Sequence, residues 1–272
     1  MSEWRPREDM TDFHAPLRSA IRTRRRGRPL LLFLDYDGTL VEIAARPEQA
    51  WPTSELLGLL GRLAAQEDIK VMVVSGRPLK DLLELLPVSG LDFLGSHGGE
   101  AFIGGCLHPL PVFAADDQEL SRWRNRLVAK LQPFQGWWFE DKPQGFALHY
   151  RQVPAEHADE FIEILGRWRE QLRHEERFQF LAGKKVLEIL PPGVSKGAAI
   201  KEILLLPGFF GVFPIYLGDD ITDESAFHLL QGQGLTIKVG RPGTETAASH
   251  FLPDPEAVRH FLAFLAAPLE DS

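Results

Sequence analysis

The chain has 272 residues, of which 44% are hydrophobic and 25% are charged, and its formal net charge at pH 7 is -8. This length and apolar content predict a globular protein with one large core or two smaller ones, and they exclude a disordered chain. The negative charge argues against nucleic acid as the main partner, and no apolar run approaches the length of about 20 residues that a membrane span needs.

The single cysteine, Cys106, cannot form a disulfide within the chain. No secretory apolar region is recognisable, so we expect a cytoplasmic protein with no membrane partner. Residues 1–28 are charged and are predicted to form an N-terminal extension with a short helix from Thr11 to about Arg24.

The first strong feature is an apolar run from Leu30 to Leu34 that ends abruptly in Asp35 and Asp37. Such a run predicts a buried parallel strand that delivers its two acids to the carboxyl edge of a sheet. Side chains alternate along a strand, so both carboxylates are expected on one side. Two acids that share a small space repel each other unless a cation or a proton intervenes, which predicts a metal site, a proton-transfer role, or both.

Strands and helices alternate through the next part of the chain. A second strand, Ile69 to Val74, ends in Ser75-Gly76-Arg77, and a third near Asp92 runs into the glycine-rich segment 95–100. This alternation predicts a parallel sheet.

From about Gly104 to Leu190 the pattern changes to helix, two strands, helix, two strands, which is typical of an α+β module. The parallel pattern returns with a helix from Ser195 that carries Lys196 and a strand from Val212 that ends in Gly218-Asp219-Asp220. We therefore predict an α/β core of residues 29–103 and 191–272 that is interrupted by a cap of residues 104–190.

Polar groups from four sheet-edge elements are expected to meet at one place. They are Asp35 and Asp37, Ser75, Lys196, and the acids Asp219, Asp220 and Asp223. Carboxylates without cysteine or histidine partners form a hard oxygen site that suits Mg²⁺ better than zinc. A lysine and a hydroxyl beside that cation make a phosphate site, where a carboxylate can attack phosphorus.

Four motifs in this order resemble the haloacid dehalogenase superfamily of phosphotransferases. They are Asp35-x-Asp37-Gly-Thr-Leu, Ser75-Gly76-Arg77, Ser195-Lys196-Gly197 and Gly218-Asp219-Asp220-x-Thr222-Asp223-Glu224. The resemblance implies a Rossmann-like parallel-sheet core with an inserted α+β cap.

The same resemblance implies a role for each core residue. Asp35 would be the nucleophile, and Asp37 the general acid that later acts as a base. Ser75 would bind a phosphoryl oxygen, and Lys196 would neutralise charge. Mg²⁺ would be held by the Asp35 carboxylate, the Asp37 backbone carbonyl and Asp219, with Asp223 in support.

Finer features resemble the trehalose-6-phosphate phosphatases. They are the segment Gly218 to Phe227, the glycine-rich edge 95–100, and the cap segments 140–142, 149–151 and 183–188. This resemblance implies trehalose 6-phosphate as the substrate and a functional pairing with the synthase that makes it. The implied substrate-binding residues are Gly76, Arg77, Glu100, Lys142, His149, Arg151 and Glu188.

Two positions differ from that family's pattern, because Phe102 and Leu190 stand where arginines are usual. Another phosphorylated glycoside, such as glucosylglycerol phosphate or sucrose phosphate, therefore stays open as the substrate. A signalling phosphoacceptor and a non-catalytic binding subunit are further alternatives.

Two predictions concern the cap. Trp137, Trp138, Phe139 and Phe146 are interpreted as its core rather than as a sugar-stacking surface. Cap and core are expected to hinge near Gly104–Gly105 and Pro191–Gly193, where glycine and proline cluster.

Overall fold

The computed structural model describes residues 14–110, 117–142, 145–172, 178–183, 185–243 and 245–267. In this part of the chain the strands are β1 (Leu30–Leu34), β2 (Ile69–Val74), β3 (Leu91–Gly95), β4 (Glu100–Ile103), β5 (Cys106–Leu107), β6 (Trp138–Lys142), β7 (Gly145–His149), β8 (Gln179–Gly183), β9 (Val186–Leu190), β10 (Phe213–Gly218), β11 (Leu235–Val239) and β12 (His250–Leu252). The α-helices are α1 (His14–Arg25), α2 (Ser54–Ala64), α3 (Leu79–Leu85), α4 (Asp117–Leu131), α5 (Ala155–Leu172), α6 (Lys196–Leu204), α7 (Glu224–Leu230) and α8 (Pro255–Ala266).

The larger sheet has eight strands in the order β12-β11-β10-β1-β2-β3-β4-β5. The strands from β12 to β3 pair in parallel, and β4 and β5 add antiparallel strands at one edge. The chain proceeds from β1 to β2 on one side and returns as β10 on the other, so a topological switch point lies at the carboxyl end of β1. Ligands of open α/β sheets bind at such a point.

The five residues of β1 are fully buried because helices cover both faces of the sheet. Helices α1, α2, α3 and α8 cover one face, and α6 and α7 cover the other. Burial on both faces explains the unbroken apolar run, since each fully buried leucine contributes about 1.5–3 kcal/mol. The predicted α/β core is confirmed.

The smaller sheet is antiparallel, with four strands in the order β6-β7-β9-β8. Helices α4 and α5 pack on it around a separate cluster of apolar side chains that includes Phe146, Phe161, Trp168 and Leu187. This confirms the inserted cap of antiparallel strands and helices. Pro143 and Gln144, between β6 and β7, and Lys184, in the cap segment 183–188, lie outside the described residues.

The junction between sheet and cap differs from the prediction at its first crossing. Gly104 and Gly105, with φ of 58° and 83°, form the hairpin turn between β4 and β5. The core sheet therefore continues to Leu107, beyond the predicted boundary at residue 104, and the glycine pair lies within it. Hinge motion at this pair and at Pro191–Gly193 stays a prediction. Paired glycines fit a tight turn with positive φ as well as they fit a linker.

The first helix begins, in the described residues, at His14, and the predicted start at Thr11 lies outside them. Among the described helices none combines the length and apolar character that crossing a bilayer requires.

Candidate active site

Asp35 lies directly after β1 and is buried. Its backbone N–H donates to the carbonyl of Leu217 at 3.0 Å, so the sheet continues to this residue and fixes its position. Its Oδ1 accepts a hydrogen bond of 2.6 Å from Nζ of Lys196. The carboxylate is therefore oriented by both the backbone and a neighbouring ammonium group.

Lys196 is the first residue of α6, where the Ser195 side chain caps the helix by accepting from the N–H of Ala198. Its buried ammonium group contacts Asp35 and Asp223, each at 2.6 Å. Burial alone would lower the pKa of Lys196, but Asp223 and Asp35 raise it well above its ordinary value. Lys196 is therefore a fixed positive charge beside Asp35.

Asp223 is fully buried and uses both of its oxygens. Its Oδ1 accepts from Lys196 and from the hydroxyl of Tyr216 at 2.6 Å, and its Oδ2 accepts from the N–H of Asp220 at 2.8 Å. Burial opposes ionisation, yet Lys196 and these hydrogen bonds lower the pKa of Asp223. Asp223 therefore anchors Lys196 to the loop after β10. Sequence reasoning missed Tyr216, whose only signal was a hydroxyl-bearing residue in a buried strand.

Oxygens of Asp35, Asp219 and Asp223 lie within 4.8 Å of one another. Burial and the nearby charges of Asp223 and Asp219 raise the pKa of Asp35 well above its ordinary value, despite the opposing effect of Lys196. The backbone approaches this cluster closely, because a Cβ on Gly38 would lie 2.3 Å from Oδ2 of Asp219. Three carboxylates with one ammonium leave an excess of negative charge, and this oxygen donor set fits a hard divalent cation such as Mg²⁺.

Asp37 lies beside this cluster, with 38% of its side chain exposed, and is held by Arg77. The Nε and Nη2 atoms of Arg77 donate to the two carboxylate oxygens of Asp37, each at 2.7 Å. Ser75 is buried, and its Oγ accepts from the N–H of Arg77 at 3.1 Å, which leaves the hydroxyl hydrogen available as a donor. The loop after β2 thus brings a hydroxyl and a guanidinium group to the two acids.

The cap places a charged pair over this loop. Nζ of Lys142 lies 3.0 Å from Oε2 of Glu188 and donates to the carbonyl of Gly76 in the core. Nε2 of His97, also in the core, lies 2.9 Å from the same Glu188 oxygen. Burial opposes ionisation of Glu188, but His97 and Lys142 lower its pKa below the ordinary value. His97 lies in the glycine-rich segment 95–100, but the sequence did not identify it as a site residue.

The outer part of the cap face carries a hydrogen-bonded pair of a histidine and a glutamate beside an aromatic ring. Nε2 of His149 lies 2.6 Å from Oε2 of Glu140, and the His149 ring stacks on Trp138 with centroids 4.8 Å apart. Cζ of Arg46, from the core, lies 5.4 Å from the Trp138 ring centroid. Arg151 donates to the carbonyl of Ala44 at 2.6 Å, which joins the cap to the loop after β1.

The interpretation of the cap aromatics is confirmed for Trp137, Phe139 and Phe146, which pack in the cap cluster, and is wrong for Trp138. Residues alternate between the faces of a strand, so Trp138 lines the cleft together with Glu140 and Lys142. The same alternation brings His149 and Arg151 to the cleft.

Glu100 lies away from the cleft. Its Oε2 accepts from the Ser96 hydroxyl at 2.7 Å and from the N–H of Leu79 at 3.0 Å, so it supports the start of α3. Phe102, two residues further along β4, packs against Phe93 and the apolar cluster beneath α1, α2, α3 and α8. Leu190 is buried. None of these three residues lines the cleft.

One cleft between sheet and cap brings together most of the predicted residues. Those that line it are Asp35, Asp37, Ser75, Gly76, Arg77, Lys142, His149, Arg151, Glu188, Lys196 and Asp219. Asp223 lies behind Lys196, and Glu100 lies outside. A Rossmann-like core, an inserted cap, and acids with a lysine at the switch point define a capped phosphatase of the haloacid dehalogenase superfamily.

Comparison with known proteins specifies the family. The sequence model of the trehalose-phosphatase family matches residues 33–256 of this chain. A trehalose 6-phosphate phosphatase of Zea mays is 35% identical over 262 residues, which cover 89% of this chain and 71% of that protein. The trehalose-6-phosphate phosphatase of Escherichia coli is 33% identical over 221 residues, which cover 79% of each.

Among solved structures, the C-terminal domain of a Candida albicans trehalose-6-phosphate phosphatase superposes with a TM-score of 0.83. That comparison has 23% identity and covers 92% of this chain and 96% of the other, so it supports the fold. The chain belongs to the trehalose-phosphatase family, whose members are phosphoric monoester hydrolases.

Proposed function

We propose that this chain hydrolyses trehalose 6-phosphate to trehalose and inorganic phosphate with the help of Mg²⁺. The observation that carries the proposal is the position of Asp35 and Asp37 in the same cleft as the cap residues Lys142, Glu188 and His149. The core supplies the groups for phosphoryl transfer, and the cap supplies polar groups that suit a hydroxyl-rich substrate. The relatives named above support the choice of sugar.

In the first step, a carboxylate oxygen of Asp35 attacks phosphorus, and the bond between phosphorus and the sugar oxygen breaks. A proton from the Asp37 carboxyl moves to the departing sugar oxygen, which leaves an aspartyl phosphate on Asp35 and a carboxylate on Asp37. A sugar alkoxide is a poor leaving group, so a positioned acid is expected to contribute a factor of roughly 10² to 10⁴ in rate.

In the second step, Asp37 accepts a proton from a water molecule, which attacks the phosphorus of the aspartyl phosphate. The bond between phosphorus and the Asp35 oxygen breaks, and inorganic phosphate is released. This step regenerates the Asp35 carboxylate and the protonated Asp37.

Charge on the transferring group is balanced by groups that surround Asp35. Lys196 supplies a buried ammonium group, and the Ser75 hydroxyl donates to a phosphoryl oxygen. Mg²⁺, when bound, would neutralise negative charge on the phosphoryl oxygens. It would be held by Asp35, Asp219 and the backbone carbonyl of Asp37, with Asp223 in support.

On the cap, Lys142, Glu188, His149 and Arg151 would exchange their present partners for substrate hydroxyl or phosphate oxygens. Gly76 and Arg77 would form the core side of this pocket. A ligand without matching hydroxyls would leave such buried groups unpaired, which is the physical basis of selection among sugars.

The direct test is phosphate release from a panel of trehalose 6-phosphate, sucrose 6-phosphate, glucosylglycerol phosphate and glucose 6-phosphate. We expect the highest kcat/KM with trehalose 6-phosphate, and loss of activity with EDTA that excess Mg²⁺ restores. A higher kcat/KM for another glycoside phosphate would contradict the choice of sugar. Turnover that persists after metal removal would contradict the role of Mg²⁺.

Two further parts of the proposal concern the cell. The enzyme would consume the product of a trehalose-6-phosphate synthase, and coupled assays with such a synthase measure that pairing. Cys106 is exposed and unpaired, which fits a reducing compartment such as the cytoplasm. Fractionation of cells with an antibody to the chain tests the location.

A further inference from the structure

Arg77 and Asp37 form a bidentate ion pair in the cleft. The Arg77 side chain is only 7% exposed, and its Nε and Nη2 atoms meet the two oxygens of Asp37 at 2.7 Å. Nη2 also donates to the carbonyl of Pro47 at 2.8 Å, and Cζ lies 5.1 Å from the ring centroid of Tyr36. The guanidinium group is thus fixed from several sides by the protein itself.

We infer that Arg77 is a positioning residue for proton transfer, which holds the carboxyl of Asp37 toward the leaving oxygen rather than binding the phosphate of the substrate. The inference rests on the proposed function, since it needs Asp37 to exchange a proton with a leaving sugar oxygen. It replaces the substrate-binding role that the sequence resemblance implies for Arg77.

The first argument is that Nε and Nη2 of Arg77 already have hydrogen-bond partners within the protein. Nε and Nη2, which form the fork that recognises a phosphate with two parallel bonds, already point at Asp37 and Pro47. A phosphate that recruited this fork would have to displace the Asp37 carboxylate and the Pro47 carbonyl together.

The second argument is the exposure of Asp37. With 38% of its side chain exposed, packing alone does not select one rotamer for this carboxyl. Proton transfer to a leaving oxygen needs a heavy-atom distance of roughly 2.6–3.2 Å, so an unrestrained carboxyl would spend much of its time out of reach. Arg77 supplies the restraint, and its own position is set by Pro47 and Tyr36, where the Tyr36 hydroxyl donates to Ala50 at 2.8 Å.

The third argument is the two-point contact. Each oxygen of Asp37 has its own guanidinium donor. Two parallel N–H···O bonds fix the plane of the carboxyl group as well as its direction, which a single donor would not do.

The test compares leaving groups. In trehalose 6-phosphate the departing alkoxide needs a proton, whereas in p-nitrophenyl phosphate the departing nitrophenolate is a stable anion that leaves without one. The value of kcat/KM reports steps up to formation of the aspartyl phosphate, so it isolates the role of the acid from the later attack of water. Both substrates are measured with wild-type enzyme, Arg77→Lys and Arg77→Ala, each loaded with Mg²⁺.

We expect kcat/KM for trehalose 6-phosphate to fall about 100-fold in both variants, and kcat/KM for p-nitrophenyl phosphate to fall less than about threefold. Arg77→Lys keeps the positive charge but loses the fork, so its failure to rescue would show that geometry matters. In an Asp37→Asn background the Arg77→Ala change should add little further loss, because the residue that it positions is already inactive.

Arg24 provides a matched control. It is 4% exposed in its side chain, and it pairs with Asp68 through Nε at 2.8 Å and Nη2 at 3.0 Å. Asp68 precedes β2, at the opposite edge of the sheet from the cleft. Arg24→Lys should therefore lower stability as Arg77→Lys does and leave the ratio of the two kcat/KM values at the wild-type level.

Equal losses of kcat/KM on both substrates in the Arg77 variants would overturn the inference, since a residue that binds phosphate or only maintains the fold affects both. Circular dichroism and thermal unfolding show whether the variants fold. If wild-type enzyme prefers another sugar phosphate, the proposed substrate fails but the leaving-group comparison is made with that sugar. The two failures are therefore distinct.

Discussion

The two walls of the cleft hold their charges in different ways. On the core wall, Asp35, Lys196 and Asp223 are buried and joined by contacts of 2.6 Å. The N–H of Asp35 donates to the carbonyl of Leu217, and the N–H of Asp220 donates to the Asp223 carboxylate. On the cap wall, Glu188 and Lys142 pair with each other and reach across to His97 and Gly76.

Under the proposed function, this difference separates the groups that carry out phosphoryl transfer from the groups that recognise the sugar. Backbone and side-chain contacts within the core fix the positions of its charged groups. Their arrangement therefore exists before a substrate binds, as electrostatic stabilisation of a transition state requires. The cap charges satisfy one another, so a sugar must replace existing partners in order to bind. This exchange makes recognition sensitive to the pattern of hydroxyl groups.

The largest effect is expected from Asp35→Asn on the core wall. An amide cannot attack phosphorus, so kcat should fall by at least about 10⁴-fold, while folding is retained because the shape is unchanged. Phosphate release measured with trehalose 6-phosphate checks this result. The matched control is Asp254→Asn, because Asp254 caps α8 and asparagine caps helices equally well. Residual turnover above 1% of wild type in Asp35→Asn would argue for a different nucleophile.

Removal of the metal should have the next largest effect. Without Mg²⁺ the excess negative charge around Asp35 is unbalanced, so EDTA should lower kcat by about 10² to 10³-fold. Mg²⁺ at 100 times its Kd should also stabilise the fold by about 2.7 kcal/mol, seen as a rise in Tm of several degrees. Asp219→Asn should abolish that rise.

Asp92→Asn serves as the comparison for the metal experiment, since Asp92 bonds the N–H of Gly104 at the far edge of the sheet. It should keep the Mg²⁺-dependent rise in Tm. A rise that survives in Asp219→Asn would place the cation elsewhere.

On the cap wall, Glu188→Gln should change the pH dependence of stability. The pKa of Glu188 is lowered from 4.5 because His97 and Lys142 outweigh burial, so its stabilisation is present above pH 4.5 and is lost as pH falls below it. We expect the variant to be about 3 kcal/mol less stable than wild type at pH 7, and the difference to shrink at pH 4.

Urea unfolding of both proteins at pH 7, 5 and 4 measures the difference in free energy. Glu160→Gln, a change at an exposed position of α5, should show no such dependence. A difference that stays constant with pH would mean that the charge of Glu188 does not contribute.

The core wall was predictable because local rules and topology agree there. An apolar strand that ends in Asp35 and Asp37, and a capped helix that begins at Lys196, leave few alternatives once the sheet is parallel. The support that Tyr216 gives to Asp223 was not predictable, because it depends on where a side chain within a strand meets a loop that follows it.

The cap wall was less predictable because its pairs depend on contacts between distant segments. The sequence resemblance named Lys142 and Glu188 but not their contacts with Gly76 and His97. Glu100 illustrates the opposite case, since a residue that the family pattern marks for substrate here supports Ser96 and the start of α3. Hydrogen-bond partners at such distances follow from the packed structure and not from local sequence.

The smallest effect is expected at Trp138, which lies in the cap sheet but faces the cleft. Its ring is parallel to that of His149 within 4°. It also contacts Arg46, an exposed residue of a core loop. A sugar ring that displaced Arg46 would stack on this aromatic surface, with a gain of about 0.5–1.5 kcal/mol. Trp138→Leu should therefore raise the KM for trehalose 6-phosphate up to about tenfold and change kcat little.

Trp137→Leu is the comparison that gives this result its meaning. The neighbouring Trp137 packs in the cap cluster, and its Nε1 donates to carbonyls of Leu131 and Phe134 at 3.0 Å. Its replacement should lower the free energy of unfolding by more than Trp138→Leu does, yet leave KM near the wild-type value. If both variants raise KM equally, loosening of the cap rather than stacking explains the effect, and Trp138 does not contact the sugar. Steady-state kinetics together with urea unfolding of the two variants separate these cases.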